Sequence, residues 1–273
     1  MSGASPGAGS GAVGGALAAV YALGVYAFIY LPVAVLVTFS FHDGRLPIPP
    51  FRPASLRWYE AVADDGGVTG ALLNALAVGA VSAAAATALG FLAAWGLARG
   101  GLPGARAMQW LITVPITVSY LIIALGLSAS ANLLGLSKAL WMVAVGHTVI
   151  NVPLAFAILY AAMGPAEAGL ERAARDLGAS EVRVLWHITL PVLWPSALAA
   201  FALALTFSWD EFVIAFLLTR FEVTLPVEIW SLMQGGLSPK TNAAGSVVFL
   251  VSVVLMLGAE LALARGRQRR ARA

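Results

Sequence analysis

Residues 170–191 read LERAARDLGASEVRVLWHITLP, the most charged stretch in the interior of an apolar chain. Apolar residues recur in it at helical spacing, at Leu170, Ala173, Ala174 and Leu177. Gly178 can end this first helix in the left-handed conformation, and Ser180 can cap a second helix. The stretch therefore predicts two short helices that meet at a sharp turn.

The sequence on both sides of this stretch is suited to lipid. Hydrophobic residues make up 60% of the 273 residues and charged residues 11%, and the mean hydropathy is +0.87. Soluble domains carry about 25% charged residues, and a membrane-spanning helix needs about 20 apolar residues. Uncharged segments of that length predict six spans, at 16–41, 70–98, 107–137, 139–166, 188–209 and 241–259. The predicted fold class is an all-α polytopic membrane protein with six transmembrane helices.

The positive charges predict which side of the membrane the termini occupy. With six spans, both termini share a side with the short gap near Arg99 and with residues 170–191. That side carries ten Lys and Arg residues, five of them in the last nine residues, and the opposite side carries six. The count places both termini and the polar stretch in the cytoplasm, for a multi-pass protein of the inner membrane.

The polar stretch also resembles a DNA-binding helix-turn-helix, whose second helix would enter the major groove. Its second helix offers only Arg183 before an apolar run that leads into the next span. No exposed basic face is left for phosphates. Nucleic-acid binding is therefore not expected, whereas contact with the bilayer is, and a plain amphipathic loop lying on the lipid is a further interpretation.

The spacing of the stretch resembles the cytoplasmic loop of permease subunits of binding-protein-dependent ABC importers. That loop carries E-A-A, three residues, G, nine residues, and I-x-L-P. The residues here that fall on this spacing are Arg172, Ala173, Ala174, Gly178, Ile188, Leu190 and Pro191. The family's glutamate position holds Arg172, and Glu171 precedes it. Either Glu171 substitutes after a small rotation, or the partner surface has changed its charge.

The resemblance implies a coupling-helix loop over 165–191 that passes ATP-driven closure of cytosolic subunits to the spans. The coupling residues that it implies are Glu171, Arg172, Ala173, Ala174, Asp176, Leu177, Gly178, Ile188, Leu190 and Pro191. It implies four partners, namely a second homologous permease, two cytosolic ABC ATPase subunits and an external solute-binding protein. ATP and Mg would bind those ATPases, so this chain is not expected to be an enzyme or to hold a cofactor.

The resemblance covers most of the chain and sets the expected domains. An importer transmembrane domain is expected over 70–263, after a first span with an external loop over 16–69. Residues 1–15, MSGASPGAGSGAVGG, lack the basic start of a signal peptide and predict a disordered cytoplasmic tail. Residues 264–273 are expected to form a basic cytoplasmic tail.

Two further segments resemble the spermidine/putrescine-type branch of these importers. They are FSWDEFVIAFLLT at 207–219 and LPVEIWSLMQGGLSPKTNA at 225–243. The branch implies a small cationic solute such as a polyamine, although permeases for thiamine, iron or aminoethylphosphonate resemble it too. Alternatives of another class are a secondary transporter and a membrane-tethered DNA-binding regulator.

Asp210 and Glu211 form an acidic pair at the end of the fifth predicted span. Because carboxylates are costly in lipid, they tend to face a bundle interior or a cavity. A cationic substrate could use them, with cation–π support from Trp209 and Phe212. A second interpretation places the pair just outside the membrane as a solvated or gate-locking pair, and the sequence leaves both open.

Other chemistry finds little support in the sequence. His42, His147 and His187 lack the spacing of metal ligands, so no metal site is expected, and His147 is expected to be hydrogen-bonded inside the bundle. GGLSPKT at 235–241 resembles a phosphate loop, but Pro239 stands where that loop requires glycine.

Overall fold

The structure, a computed structural model, describes the backbone of residues 8–236 and 238–272 and the side chains of residues 15, 17–236 and 238–261. Its α-helices are α1 (Ala8–Ser40), α2 (Arg57–Ala63), α3 (Gly66–Arg99), α4 (Ala105–Thr113), α5 (Tyr120–Leu133), α6 (Leu140–Ala162), α7 (Pro165–Asp176), α8 (Glu181–Val184), α9 (Leu190–Trp209), α10 (Val213–Leu218), α11 (Leu225–Gln234) and α12 (Pro239–Arg272). This part of the chain forms no β-strand. The all-α class is confirmed.

Five helices of the described chain are long and apolar enough to cross a membrane. They lie in α1, in α3, in α6, in the continuous helix from α8 to α9, and in α12. A sixth crossing exists only if α4 and α5 are counted together as one broken span. The structure thus supports five of the predicted spans as continuous helices, and the third is broken.

The third predicted span, over 107–137, is a broken one, because the chain bends by 101° between α4 and α5. A 3-10 turn over Val114–Thr117 follows α4, and Val118 is extended, with φ −92° and ψ 135°. Pro115 lies in that turn. Proline has no N–H to donate, and in an α-helix its ring collides with the carbonyl four residues earlier. The helix therefore ends at this proline and restarts in a new direction.

One compact unit comprises the described residues up to Asp64 together with 235–247. Helix α1 begins at Ala8, so residues 8–15 are helical where the composition predicted disorder; residues 1–7 lie outside the described part. Once a long apolar helix has formed, extending it by a few residues towards the N-terminus costs little free energy.

The loop after α1 is held by two side-chain contacts. Ser40 Oγ and Tyr59 Oη lie 2.6 Å apart, and Trp58 Nε1 donates to the carbonyl of His42 at 2.9 Å.

The other unit, residues 65–234 and 248–273 as far as they are described, is built around α3. Helix α3 packs against α6 and α9, which also contact each other, while α10 packs on α5 and α6. At Gly90 the backbones of α3 and α6 approach so closely that a Cβ would lie 2.7 Å from the backbone nitrogen of Phe156. The sequence around Gly90, AVGAVSAAAATALG at 77–90, consists mainly of small residues, which allow helices to approach this closely.

The predicted basic tail is not separate from the last helix. Helix α12 continues through the arginine-rich segment to Arg272.

Candidate functional site

The polar stretch forms a helical hairpin of α7 and α8, as its spacing predicts. Gly178 adopts the left-handed conformation with φ +85°. Its N–H donates to the carbonyl of Arg175 at 2.8 Å, and Ala179 N–H donates to the carbonyl of Ala174 at 3.0 Å. This pair of bonds is the Schellman motif that closes a helix C-terminus. Ser180 occupies the N-cap position of α8, but its hydroxyl makes no capping hydrogen bond.

The second arm of the hairpin is continuous with the fifth span. A π-helical turn over Leu185–Thr189 joins α8 to α9. Pro191 follows in the first turn of α9. Because proline can neither donate to the carbonyl four residues earlier nor fit beside it, the wider π turn gives the chain room at this point. No loop therefore separates the hairpin from α9.

The outward surface of α7 has no partner within the described chain. Leu170 is 54% exposed and Leu177 is 90% exposed. The exposed residues of this surface are Leu170, Arg172, Ala173, Asp176 and Leu177, and we call them the α7 face. Of the other predicted coupling residues, Gly178 and Pro191 are exposed, while Ala174, Ile188 and Leu190 are half-buried. The α7 face is apolar at its centre and carries Arg172 and Asp176 along one side.

Glu171 points away from the α7 face and is only 1% exposed. One carboxylate oxygen accepts a hydrogen bond from Arg99 Nε at 2.7 Å, and the other accepts one from Thr189 Oγ1 at 2.9 Å. Arg99 Nη1 also donates to the carbonyl of Met163 at 3.4 Å. Glu171 could replace the family's glutamate on the α7 face only by giving up both of its bonds.

A second ion pair of the hairpin lies at the surface. Arg175 donates to both carboxylate oxygens of Glu181, at 2.6 and 3.0 Å. This hydrogen-bonded pair raises the pKa of the Arg175 guanidinium above its usual value. The pair bridges the turn between α7 and α8, and the two side chains are 32% and 62% exposed.

Three of the four predicted pathway residues are partly or fully covered. Trp209 is 1% exposed, and its Nε1 donates to Ser252 Oγ at 3.1 Å. Glu211 is buried, and its carboxylate accepts from the backbone N–H groups of Ile214 and Ala215 at 2.9 to 3.2 Å. Phe212 is half-buried. Glu211 thus caps the N-terminus of α10.

Glu211 also belongs to a hydrogen-bonded network that joins four helical elements. His147 Nε2 lies 3.1 Å from a Glu211 oxygen, and His147 Nδ1 lies 2.6 Å from Ser208 Oγ. Ser208 in turn bonds to Ser82 of α3 at 2.9 Å. The expectation that His147 is hydrogen-bonded inside the bundle is confirmed. No signal in the sequence links the members of this network, which lie on α3, α6, α9 and the start of α10.

Asp210 differs from its neighbour because it is exposed. It lies on the wall of a cavity of about 340 Å³, whose other lining residues are Phe212, Pro226, Ile229, Trp230, Met233 and Val248. The rings of Phe212 and Trp230 lie 5.7 Å apart. Within the described residues Asp210 has no ion-pair partner. A carboxylate beside two aromatic rings can bind an organic cation.

Sequence reasoning missed three residues of these sites. Arg99 counted only as a positive charge, Thr189 only as an unspecified position in I-x-L-P, and Trp230 only as part of a longer segment. Arg99 lies 72 residues from Glu171. A pair so distant has no local spacing that would reveal it.

The described chain combines five or six candidate membrane spans with the helical hairpin of α7 and α8. Residues 86–268 match the family described as binding-protein-dependent transport system inner membrane component, and the chain belongs to that family. The chain is therefore the permease of an ABC importer, as the resemblance of residues 172–191 to the importer loop implies. The alternatives of a secondary transporter and a membrane-tethered DNA-binding regulator are set aside.

Curated relatives match over nearly their whole length. The spermidine/putrescine transport system permease protein PotC of Haemophilus influenzae is 28% identical over 239 residues, which are 87% of this chain and 92% of PotC. The putrescine transport system permease protein PotI of Escherichia coli is 28% identical over 255 residues, 90% of each chain.

Solved structures show the same fold. A bacterial ABC transporter involved in the import of the acidic polysaccharide alginate superimposes with a TM-score of 0.70 at 17% identity, over 94% of this chain and 98% of that one. The MetNI methionine ABC transporter, in an inward-facing conformation, gives 0.60 at 16% identity, over 78% and 99%.

Proposed function

We propose that this permease forms the translocation pathway for a small organic cation of the polyamine class. The observation that carries the proposal is Asp210, an exposed carboxylate beside Phe212 and Trp230 on the wall of one cavity. A primary ammonium group could pair with the carboxylate and lie against the rings. Cation–π contacts contribute about 0.5–2 kcal/mol, more where water is excluded. The relatives named for spermidine and putrescine support the same solute class.

Within the predicted pathway set, Asp210 and Phe212 are the residues we assign to the solute. Glu211 is committed to His147 and to the N–H groups of α10, and Trp209 is buried against Ser252. We assign these two a supporting role, in which they hold the start of α10 and therefore the cavity wall.

The importer would work with a second homologous permease, two cytosolic ABC ATPases that bind ATP and Mg, and an external binding protein. Closure of the ATPases would move the α7 face, and the spans would switch from inward to outward opening. The exposed apolar α7 face supports this docking. A solved bacterial alginate ABC transporter is in complex with an alginate pentasaccharide-bound periplasmic protein, and this supports a binding protein as a partner. Both termini would then lie in the cytoplasm.

The exposure of Arg172 bears on the charge of the ATPase surface. Because Glu171 is buried in two hydrogen bonds, we assign to Arg172 the position that a glutamate holds in the family pattern. The matching ATPase surface would then carry an acidic side chain. This choice follows the second of the two explanations for the altered motif.

Uptake in proteoliposomes tests the solute. The whole importer is reconstituted with its binding protein, and ATP-dependent uptake of labelled putrescine and spermidine is measured. We expect uptake, and about a tenfold loss of it in Asp210→Asn, the size of one well-placed charge contact. Glu222→Gln, which changes an exposed carboxylate outside the cavity, is the matched control. Uptake of thiamine, iron or aminoethylphosphonate in place of polyamines would contradict the proposed solute and leave the importer intact.

A further inference from the structure

Glu171 connects three structural elements through one carboxylate. The residue itself belongs to α7, its partner Arg99 is the last residue of α3, and its partner Thr189 ends the π turn before α9. Each carboxylate oxygen is used by a different element, with bonds of 2.7 and 2.9 Å. Within the described residues, Arg99–Glu171 is the one ion pair or side-chain hydrogen bond between α7 and α3.

This cluster is protected from water. The Arg99 side chain is 14% exposed and the Glu171 side chain 1% exposed. Screening by salt is weak for a pair that water does not reach, and removing one partner leaves an uncompensated buried charge. The exposed Arg175–Glu181 pair of the same hairpin lacks these properties. The two pairs therefore differ in how firmly they hold their elements together.

We infer that the Arg99–Glu171–Thr189 cluster is the link that passes movement of the α7 face to α3 and α9. Helix α3 packs against both α6 and α9. A displacement of its last residue, Arg99, would therefore move helices that contact each other. The π turn is already continuous with α9, and the Thr189 bond fixes it to α7. Glu171 is thus a positioning residue for coupling, on the inner side of a helix whose outer side meets the ATPase. The inference rests on the proposed docking of the ATPase to the α7 face.

The test compares substrate uptake per ATP hydrolysed in the reconstituted importer. Glu171→Gln keeps the shape of the side chain and removes its charge, whereas Glu181→Gln does the same to the exposed pair. For Glu171→Gln we expect ATP hydrolysis to continue while uptake per ATP falls about tenfold, within the range of mutations on coupling networks. We expect Glu181→Gln to retain the wild-type ratio. An unchanged ratio in Glu171→Gln, or an equal fall in both variants, would overturn the inference.

Thr189→Val provides a milder variant in case Glu171→Gln does not assemble with the ATPase. It removes one hydrogen bond and no charge, and we expect uptake per ATP to fall about threefold. A wild-type ratio in Thr189→Val would also overturn the inference. The double variant Arg99→Gln/Glu171→Gln should lose no more than the worse single variant, because both changes break the same link.

A distance measurement tests the rigidity of the link directly. The chain has no cysteine, so spin labels can be attached at Ala166→Cys on α7 and Leu92→Cys on α3 without removing native thiols. In a labelled importer that retains uptake, we expect the same distance with and without trapped nucleotide, and a broader distribution after Glu171→Gln. A distance that changes through the wild-type cycle would refute the link. A wild-type importer without any ATP-dependent uptake would instead contradict the proposed function.

Discussion

Arg172 places a positive charge on the α7 face at the position where the importer pattern carries a glutamate. The neighbouring Asp176 is also exposed, so this side of the face carries both signs of charge. Charged groups at an interface select partners more than they add affinity. The identity of residue 172 is therefore expected to decide which ATPase this permease accepts.

Reversing the charge at position 172 tests the sign of the ATPase surface. We expect Arg172→Glu to weaken co-purification of the ATPase by at least about tenfold, because like charges would face each other. Arg172→Lys keeps the charge and should retain the ATPase. Binding should be measured at low and high salt, since salt reduces this effect. Tighter binding of Arg172→Glu would mean that the ATPase surface is basic.

Glu211 and Asp210 are expected to differ in their effect on stability. Glu211→Gln would turn an NH₂ group towards backbone donors or leave them without an acceptor, at a cost of about 1–3 kcal/mol. Asp210→Asn changes a carboxylate with no ion-pair partner in the described chain and should leave the melting temperature unchanged. Thermal unfolding of both purified variants in detergent checks this contrast. Equal melting temperatures would contradict the capping role of Glu211.

The hairpin depends on one conformation at Gly178. Its φ of +85° is unfavourable for residues with a side chain, yet a Cβ built there meets no atom within 4 Å in this chain. Any steric conflict at this position would therefore come from a docked partner.

Gly178→Asp tests this conclusion at the level of the hairpin. We expect the variant to insert normally, at a folding cost of about 1–2 kcal/mol, and to lose coupling between ATP hydrolysis and uptake. Gly178→Asn has the same size without the charge and tolerates positive φ better, so it separates bulk from charge. Full transport and full ATPase stimulation in Gly178→Asp would remove Gly178 from the coupling set.

Hydropathy predicts a membrane-spanning helix well when an apolar segment is long enough and its backbone hydrogen bonds continue throughout. It does not predict where a single residue ends the helix. Five spans agree with the uncharged segments, whereas the third bends by 101° after Pro115. Pro153 and Pro195 lie within α6 and α9 without ending them. The sequence identifies each proline, but whether the helix continues depends on neighbours that re-satisfy the freed carbonyl.

For the whole molecule, the close contact at Gly90 is expected to control stability. Gly90→Ala would push a Cβ against the backbone of Ala155 and Phe156, at 2.7 to 2.9 Å, and separate α3 from α6. We expect a loss of about 1–3 kcal/mol, typical of overpacking, measured by thermal unfolding in detergent. Gly126→Ala, where nothing lies within 4 Å, should be neutral or stabilising. A neutral Gly90→Ala would show that the two helices can move apart freely.

The candidate sites are predictable from sequence only where they are local. The turn at Gly178 follows from spacing over a few residues, and the structure agrees. The orientation of two adjacent charged residues does not follow from local spacing. Glu171 faces inwards, whereas Arg172 faces outwards. The partner of Glu171 is Arg99, 72 residues earlier, and a partner of Glu211 is His147, 64 residues earlier. Such pairings become visible only once the helices are packed.

The unequal surroundings of Asp210 and Glu211 have a consequence for how transporters of this kind can diverge. The fold requires the carboxylate at position 211, which bonds to His147 and to the first turn of α10. Asp210 makes no hydrogen bond in that network and lies on the cavity wall. If residue 210 and the facing rings bind the solute, as proposed, substitutions there would change the solute while the residues that hold α10 stay the same.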